Sequence, residues 1–205
     1  MTDTASWIGL GVAAVSAIAA VAAWRAADGS RKAAAELTAI ERDRRHAELT
    51  PKILAQVSPL GGGRFRLRIQ LDGPLELEGL DHVVVSVRND TVDHTPIDGG
   101  GTNEESNAPI WGPLRFVPQI DGASEDGRQV APFPLAVGDD RPFAMEPTRA
   151  PLESGPGSDS WWRAQYQSGT SPLRLAVRCE KEGEQPWIIP IELHLSKYEF
   201  EGSAS

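Results

Sequence analysis

At Pro51 the hydrophobic period of this chain changes from that of a helix to that of a strand. After it, "RFRLRIQL" alternates Phe65, Leu67, Ile69 and Leu71 with Arg64, Arg66, Arg68 and Gln70. Side chains along a strand point to opposite faces in turn, so the pattern describes a strand with one buried and one wet face. "DHVVVSVR" repeats it with Val83, Val85 and Val87, and "LRLAVRC" with Leu173, Leu175, Val177 and Cys179. "WIIPIELHL" does so from Trp187 through Ile189, Ile191, Leu193 and Leu195. Pro190 cannot donate to a ladder, which places this last strand at an edge or a bulge. A loop containing Gly183 separates the last two runs, so residues 172–196 read as a hairpin.

Short strands, Asp-Gly turns at 72, 98, 121 and 126, and little long helix predict a mainly β fold. The expected form is an antiparallel β-sandwich-like domain over residues 51–198, followed by a tail at 199–205 expected to be disordered. "PFPLAVGDDRPFAMEPTRAPLESGPGSDS" holds too much proline for regular structure beyond one short strand. "SDSWWRAQYQSG" predicts a short helix with Ser158 or Ser160 as its cap and Gly169 as its stop.

Before Pro51 the chain reads as helix in two parts. "WIGLGVAAVSAIAAVAAW", residues 7–24, has no charge and a tryptophan at each end. A secretory signal would need a basic stretch before it, and residues 1–6 offer only Asp3. A buried helix of a globular domain would show a polar face, and Ser16 is the run's one hydroxyl. As a helix the run is about 27 Å long, close to the hydrocarbon core of a bilayer. Trp7 and Trp24 would then lie at the two headgroup levels, with Arg25 just beyond. The expectation is a transmembrane helix over 7–25, preceded by a short tail at 1–6 and anchored in a lipid bilayer through 7–24. Alanine fills 7 of the 18 positions, so insertion draws on six Ile, Leu and Val residues at about −0.3 to −0.6 kcal/mol each.

Basic residues follow the run and none precedes it, which directs the C-terminal side to the cytoplasm. Residues 26–50 read as a charged helical stalk with acid-before-base pairs Asp28–Lys32 and Glu41–Arg45. A heptad seam through Leu37 and Ile40, and small residues at spacing four in the apolar run, leave a homodimer open.

Charge and cysteine usage narrow the chemistry. Residues 1–50 carry 6 basic and 6 acidic side chains; residues 51–205 carry 14 and 23, so the whole −9 lies in the β-rich part. Such a domain repels phosphate backbones, and nucleic acid is not an expected partner. The single cysteine, Cys179, excludes an intramolecular disulfide and falls on the apolar alternation of its strand, where a structural thiol is expected. No G-x-S-x-G, H-E-x-x-H or glycine-rich phosphate loop is present. The acids of "DGASEDG" lack the spacing of a calcium loop. No catalytic residue, metal site or cofactor is therefore expected.

The pieces "RRHAELTP", "IWGPLRFVP", "PFPL" and "WWRAQY", in this order after an N-terminal apolar helix, resemble a family of uncharacterised single-pass membrane proteins of actinobacteria. Sixteen arginines against four lysines suit a GC-rich genome. The resemblance implies a bacterial plasma-membrane protein with an N-terminal transmembrane helix and a β-rich domain, and it carries no activity.

Aromatic residues are the least ordinary feature of the domain. Trp111 and Arg115 sit in "IWGPLRF"; Trp161, Trp162, Arg163 and Tyr166 sit in "WWRAQY". On a helix Trp162 and Tyr166 share a face, while Trp161 points about 100° away. Trp162 and Tyr166 are thus expected to plug one end of the sandwich with Trp161 on its rim. Tryptophan, tyrosine and arginine are also the composition of interface hot spots, which makes these six residues the candidate binding patch for a protein partner. The leading expectation is a membrane-anchored interaction or scaffold module. The alternative is a membrane-tethered hydrolase whose Asp, Glu and His side chains meet in a cleft.

Overall fold

The computed structural model of the 205-residue chain describes residues 24, 31–32, 34–92, 109–150, 158–169 and 171–195. It divides into two compact units, residues 1–48 and 49–205. In the first, helix α1 covers residues 34–48 and ends ahead of Pro51, whose ring disfavours helical geometry in the preceding residue. Arg44 bridges Glu48 at 2.9 Å and Glu41 at 4.0 Å on its surface, and the exposed Thr38 hydroxyl donates back to Ala34 O at 2.8 Å. Leu37 and Ile40, the sizeable seam residues, are exposed in the single chain. No helix among the described residues is long and apolar enough to cross a membrane. The expected span falls almost wholly outside the described residues: of 7–25 only Trp24, helical and exposed, is among them.

The second unit is mainly β. Its described residues form strands β1 (Lys52–Gly61), β2 (Arg64–Gly73), β3 (Gly79–Arg88), β4 (Leu114–Phe116), β5 (Phe133–Ala136), β6 (Asp140–Pro147), β7 (Leu173–Glu180) and β8 (Trp187–Leu193), with helix α2 (Ser158–Tyr166) between β6 and β7. They assemble into two four-stranded sheets in the orders β1-β2-β6-β4 and β5-β3-β7-β8, every pairing antiparallel. The apolar faces of both sheets meet in one core, in agreement with the sandwich expected from the alternation. Phe65, Leu67, Ile69 and Leu71 of β2 face Val83, Val85 and Val87 of β3 and Leu173, Leu175, Val177 and Cys179 of β7 within it, all at 0–2% exposure. Phe143 joins the sheets, its ring 5.2 Å from Phe133 and 5.9 Å edge-on from Phe116.

β7 and β8 form the expected hairpin, and Pro190 lies on the edge strand opposite Ala176, where a missing N–H costs the ladder nothing. The proline-rich stretch departs from expectation, because it supplies β5 and the eight residues of β6. β6 is central to its sheet despite Pro142 and Pro147; its Phe143 and Met145 fill the core at 1% and 0% exposure. Burial of those two side chains outweighs the two missing donors. Asp121-Gly122 and Asp126-Gly127 both turn the chain with glycine at positive φ. Asp98-Gly99 lies outside the described residues. Helix α2 begins at Ser158, so Ser160 is within its first turn rather than capping it, and Gly169 follows at φ +83°.

Candidate functional site

Trp162 and Tyr166, one turn apart, occupy the face of α2 turned to the β domain and are 2% and 1% exposed. Trp162 Nε1 donates to the Thr148 hydroxyl at 3.0 Å, and that hydroxyl in turn donates to Gly112 O. Gln167 Nε2 donates to Thr148 O at 3.0 Å, so one buried residue just past β6 holds the helix by both side chain and backbone. Tyr166 Oη donates to Asp90 Oδ2 at 2.6 Å, two residues past the end of β3. Burial, then this hydrogen bond and the Asp90 charge, raise the Tyr166 pKa above its ordinary value. The ends of β3 and β6 are thereby tied to one helix, which defines one end of the β domain.

Trp111 completes the cluster. Its ring lies 5.1 Å from that of Trp162, and Trp162 lies 4.7 Å from Tyr166, both pairs tilted. Its backbone is fixed from both sides: the Trp111 N–H donates to Asn89 Oδ1 at 3.1 Å, and the Asp90 N–H donates to Trp111 O at 2.8 Å. Arg128 adds bonds to Asn89 Oδ1 at 3.2 Å and Pro109 O at 3.1 Å.

Trp161 is 53% exposed, as its 100° offset from Trp162 requires. Its ring meets Trp162 and Tyr166 edge-on, both at 6.3 Å. Two aromatic contacts at such spacing contribute about 0.5–1.5 kcal/mol each beyond buried area. They hold the exposed indole in place without removing it from water. Arg163 is exposed on the same helix. Arg115 is engaged elsewhere: it faces Glu146 across β4 and β6, with two bonds to Glu146 Oε1 at 3.0 and 2.7 Å. The structure therefore gathers Trp111, Trp161, Trp162 and Tyr166 into one cluster and commits Arg115 to an ion pair. Trp7 and Arg25, the expected membrane-flanking residues, lie outside the described residues.

Asp121 and Asp126 of "DGASEDG", and Asp81 on β3, are engaged in hydrogen bonds of the fold. Asp121 Oδ2 accepts the Ala144 N–H at 2.7 Å. Asp126 accepts from the Ser124 hydroxyl and the Arg128 N–H; burial disfavours its charge, but these bonds and the Arg128 charge outweigh it and lower its pKa. Asp81 accepts the Glu182 N–H at 2.7 Å and does not orient His82. His82 and His194 are exposed. Cys179 is fully buried, and burial pushes its thiol up to about 12. Among the described residues no group of three or more His, Cys, Asp or Glu could hold a metal ion.

Sequence reasoning found the aromatic residues but not Thr148, Asn89 or Asp90, which fix them. Tyr166 and Asp90 are 76 positions apart, and no local pattern relates them. The fold and site define a β-rich domain with a braced aromatic cluster at one end. No protein-family model, curated protein or solved structure matches the chain.

Proposed function

We propose that the chain is a single-pass protein of the bacterial plasma membrane, of the actinobacterial kind its sequence resembles, which presents its β-sandwich to the cytoplasm as an interaction module for a protein partner. The observation that carries this reading is Trp161: a large indole, more than half exposed, braced edge-on by two buried aromatic rings. An ordered aromatic side chain loses little conformational freedom on binding, which is why such residues dominate interface energetics. Arg163, exposed on the same helix, supplies a cation for the rim. Residues 7–24 act as the anchor, and the basic residues that follow them set the orientation.

Proximity labelling from the full-length protein in its own membrane, repeated with Trp161→Ala, tests the module. A central tryptophan costs about 2 kcal/mol or more when truncated, so the labelling of its partner falls about thirtyfold. An unchanged labelling pattern, with an unchanged urea midpoint, overturns the assignment of Trp161. The anchor is tested separately. A Ser203→Cys variant reacts with an impermeant maleimide only after the cells are opened; reaction in intact cells reverses the orientation, and release of the chain by alkaline carbonate removes the anchor.

A further inference from the structure

Among the described residues each sheet has two edge strands, and three of the four are guarded. β4 has three residues, and its Phe116 N–H donates to Gly127 O at 3.0 Å. β5 has four residues and includes Pro134; β8 has Pro190 at its centre. β1 differs. It is ten residues long, and β2 is the only described strand it is hydrogen-bonded to, while β8 of the other sheet lies near it. From Ile53 to Ser58 it contains no proline, glycine or charge, and its register is unbroken from Ile53 to Pro59. Lys52 and Pro59 bound this window on either side. Unpaired edges of this kind are templates for another strand, and natural proteins blunt them unless they are used.

Two further observations say what such a strand would carry. On the inner face, Ile53, Ala55 and Val57 are only half-buried, whereas the neighbouring inward residues of β2 are all at 0% exposure. Apolar side chains on an added strand would cover them. On the outer face, Gln56 lies opposite Arg68, Ser58 opposite Arg66, and Gly61 opposite Arg64. Arg68 bridges Asp140 at 2.9 Å, while Arg64 and Arg66 meet no acid among the described residues. The hairpin 52–73 holds four basic side chains and one acidic; residues 74–205 hold 10 and 22. It is a cationic island on an acidic domain. A strand added to β1 would lie two strand spacings, about 10 Å, from β2, a gap that arginine and glutamate side chains reaching toward each other can close.

We infer that the β1 edge is a docking site for an extended segment of a partner protein in which acidic and apolar residues alternate. The apolar residues turn inward over Ile53, Ala55 and Val57, and the acids turn outward toward Arg64 and Arg66. A bilayer or a nucleic acid would match the charge but has no peptide backbone to pair with β1. This surface is separate from Trp161, so Trp161→Ala leaves it intact and the two proposals fail independently.

The test uses the full chain in zwitterionic nanodiscs and three capped octapeptides: alternating valine and glutamate, alternating valine and lysine, and the glutamate peptide with alternate amides N-methylated. The expected result is hydrogen-exchange protection of residues 53–58 by the glutamate peptide, with affinity at least tenfold above that for the lysine peptide and no protection by the N-methylated form. The double variant Arg64→Glu, Arg66→Glu reverses the preference at an unchanged urea midpoint. The inference is overturned if no peptide protects β1 or if charge makes no difference. It is equally overturned if protection appears only after residues 196–205 are deleted, if a concentration-dependent dimer protects the same amides, or if phosphatidylserine vesicles or single-stranded DNA protect them as well as the peptide does.

Discussion

At the residue scale, the aromatic end of the β domain depends on one hydroxyl. Thr148 is 3% exposed, and its Oγ1 both accepts from Trp162 and donates to Gly112 O. Thr148→Val keeps the shape and orphans a buried indole N–H and a buried carbonyl, which costs about 1–3 kcal/mol. A lower urea midpoint, with the tryptophan emission of the native state shifted, checks this. Tyr166 and Cys179 add a pH dependence, since both hold their protons more tightly folded than unfolded. Their stabilising effect is complete below the unfolded pKa values, about 8.5 for cysteine and about 10 for tyrosine, and is lost as pH rises. The Cys179 part drains between there and about 12. Urea midpoints are therefore expected to hold level from pH 7 to 8 and to fall steadily above pH 9. In a Tyr166→Phe, Cys179→Ala variant, less stable at neutral pH, that fall flattens. Adjacent Trp161 and Trp162 were legible in sequence because helical geometry alone forces one of them outward. Thr148 was not, because a single threonine between prolines and arginines has no pattern to reveal its burial.

At the element scale, legibility followed the strength of the alternation. β2, β3, β7 and β8 each place three or more large apolar residues on one face, and each was readable. β6 offers only Phe143 and Met145 inward, with Pro142 and Ala144 between and beside them, and its strand state is set by β2 and β4 on either side. β1 alternates weakly, with Leu54 on the outer face at 51% exposure, so its signal was blurred by the same edge character that leaves it open. β4 is too short to carry a period at all. The loop that guards β4 is, among the described glycine turns, the one with the least room for a side chain. Gly127 has φ +72°, and a Cβ there would lie 2.4 Å from Phe116 O, against rigid backbone. Gly138 has φ +88° with open space around it. Gly138→Ala thus carries only the left-handed penalty, about 1–2 kcal/mol, whereas Gly127→Ala must also move the loop and costs more. Equal urea midpoints for the two variants would remove the argument that the 127 loop is pressed against β4.

At the scale of the whole molecule, the two units obey different rules: helical spacing governs α1 in the first, and cross-strand pairing governs the second. Within the β domain the pairings differ greatly in reach. β1 with β2 and β7 with β8 close locally, but β2 must pair with β6, whose residues come 70 to 80 positions later. Non-local pairing of this kind slows folding. On a ribosome adding about 5–20 residues per second, β2 waits roughly 4–16 s for its second neighbour. During that interval its one free edge sits beside four large apolar side chains. Arg64, Arg66 and Arg68, interleaved with those side chains, are what a waiting strand needs, since like charges keep nascent copies from zipping together. Replacing all three with glutamine should leave the native urea midpoint nearly unchanged while increasing light scattering during refolding. The row of arginines would then serve the chain twice, as a chaperone of its own synthesis and afterwards as a surface of the finished domain.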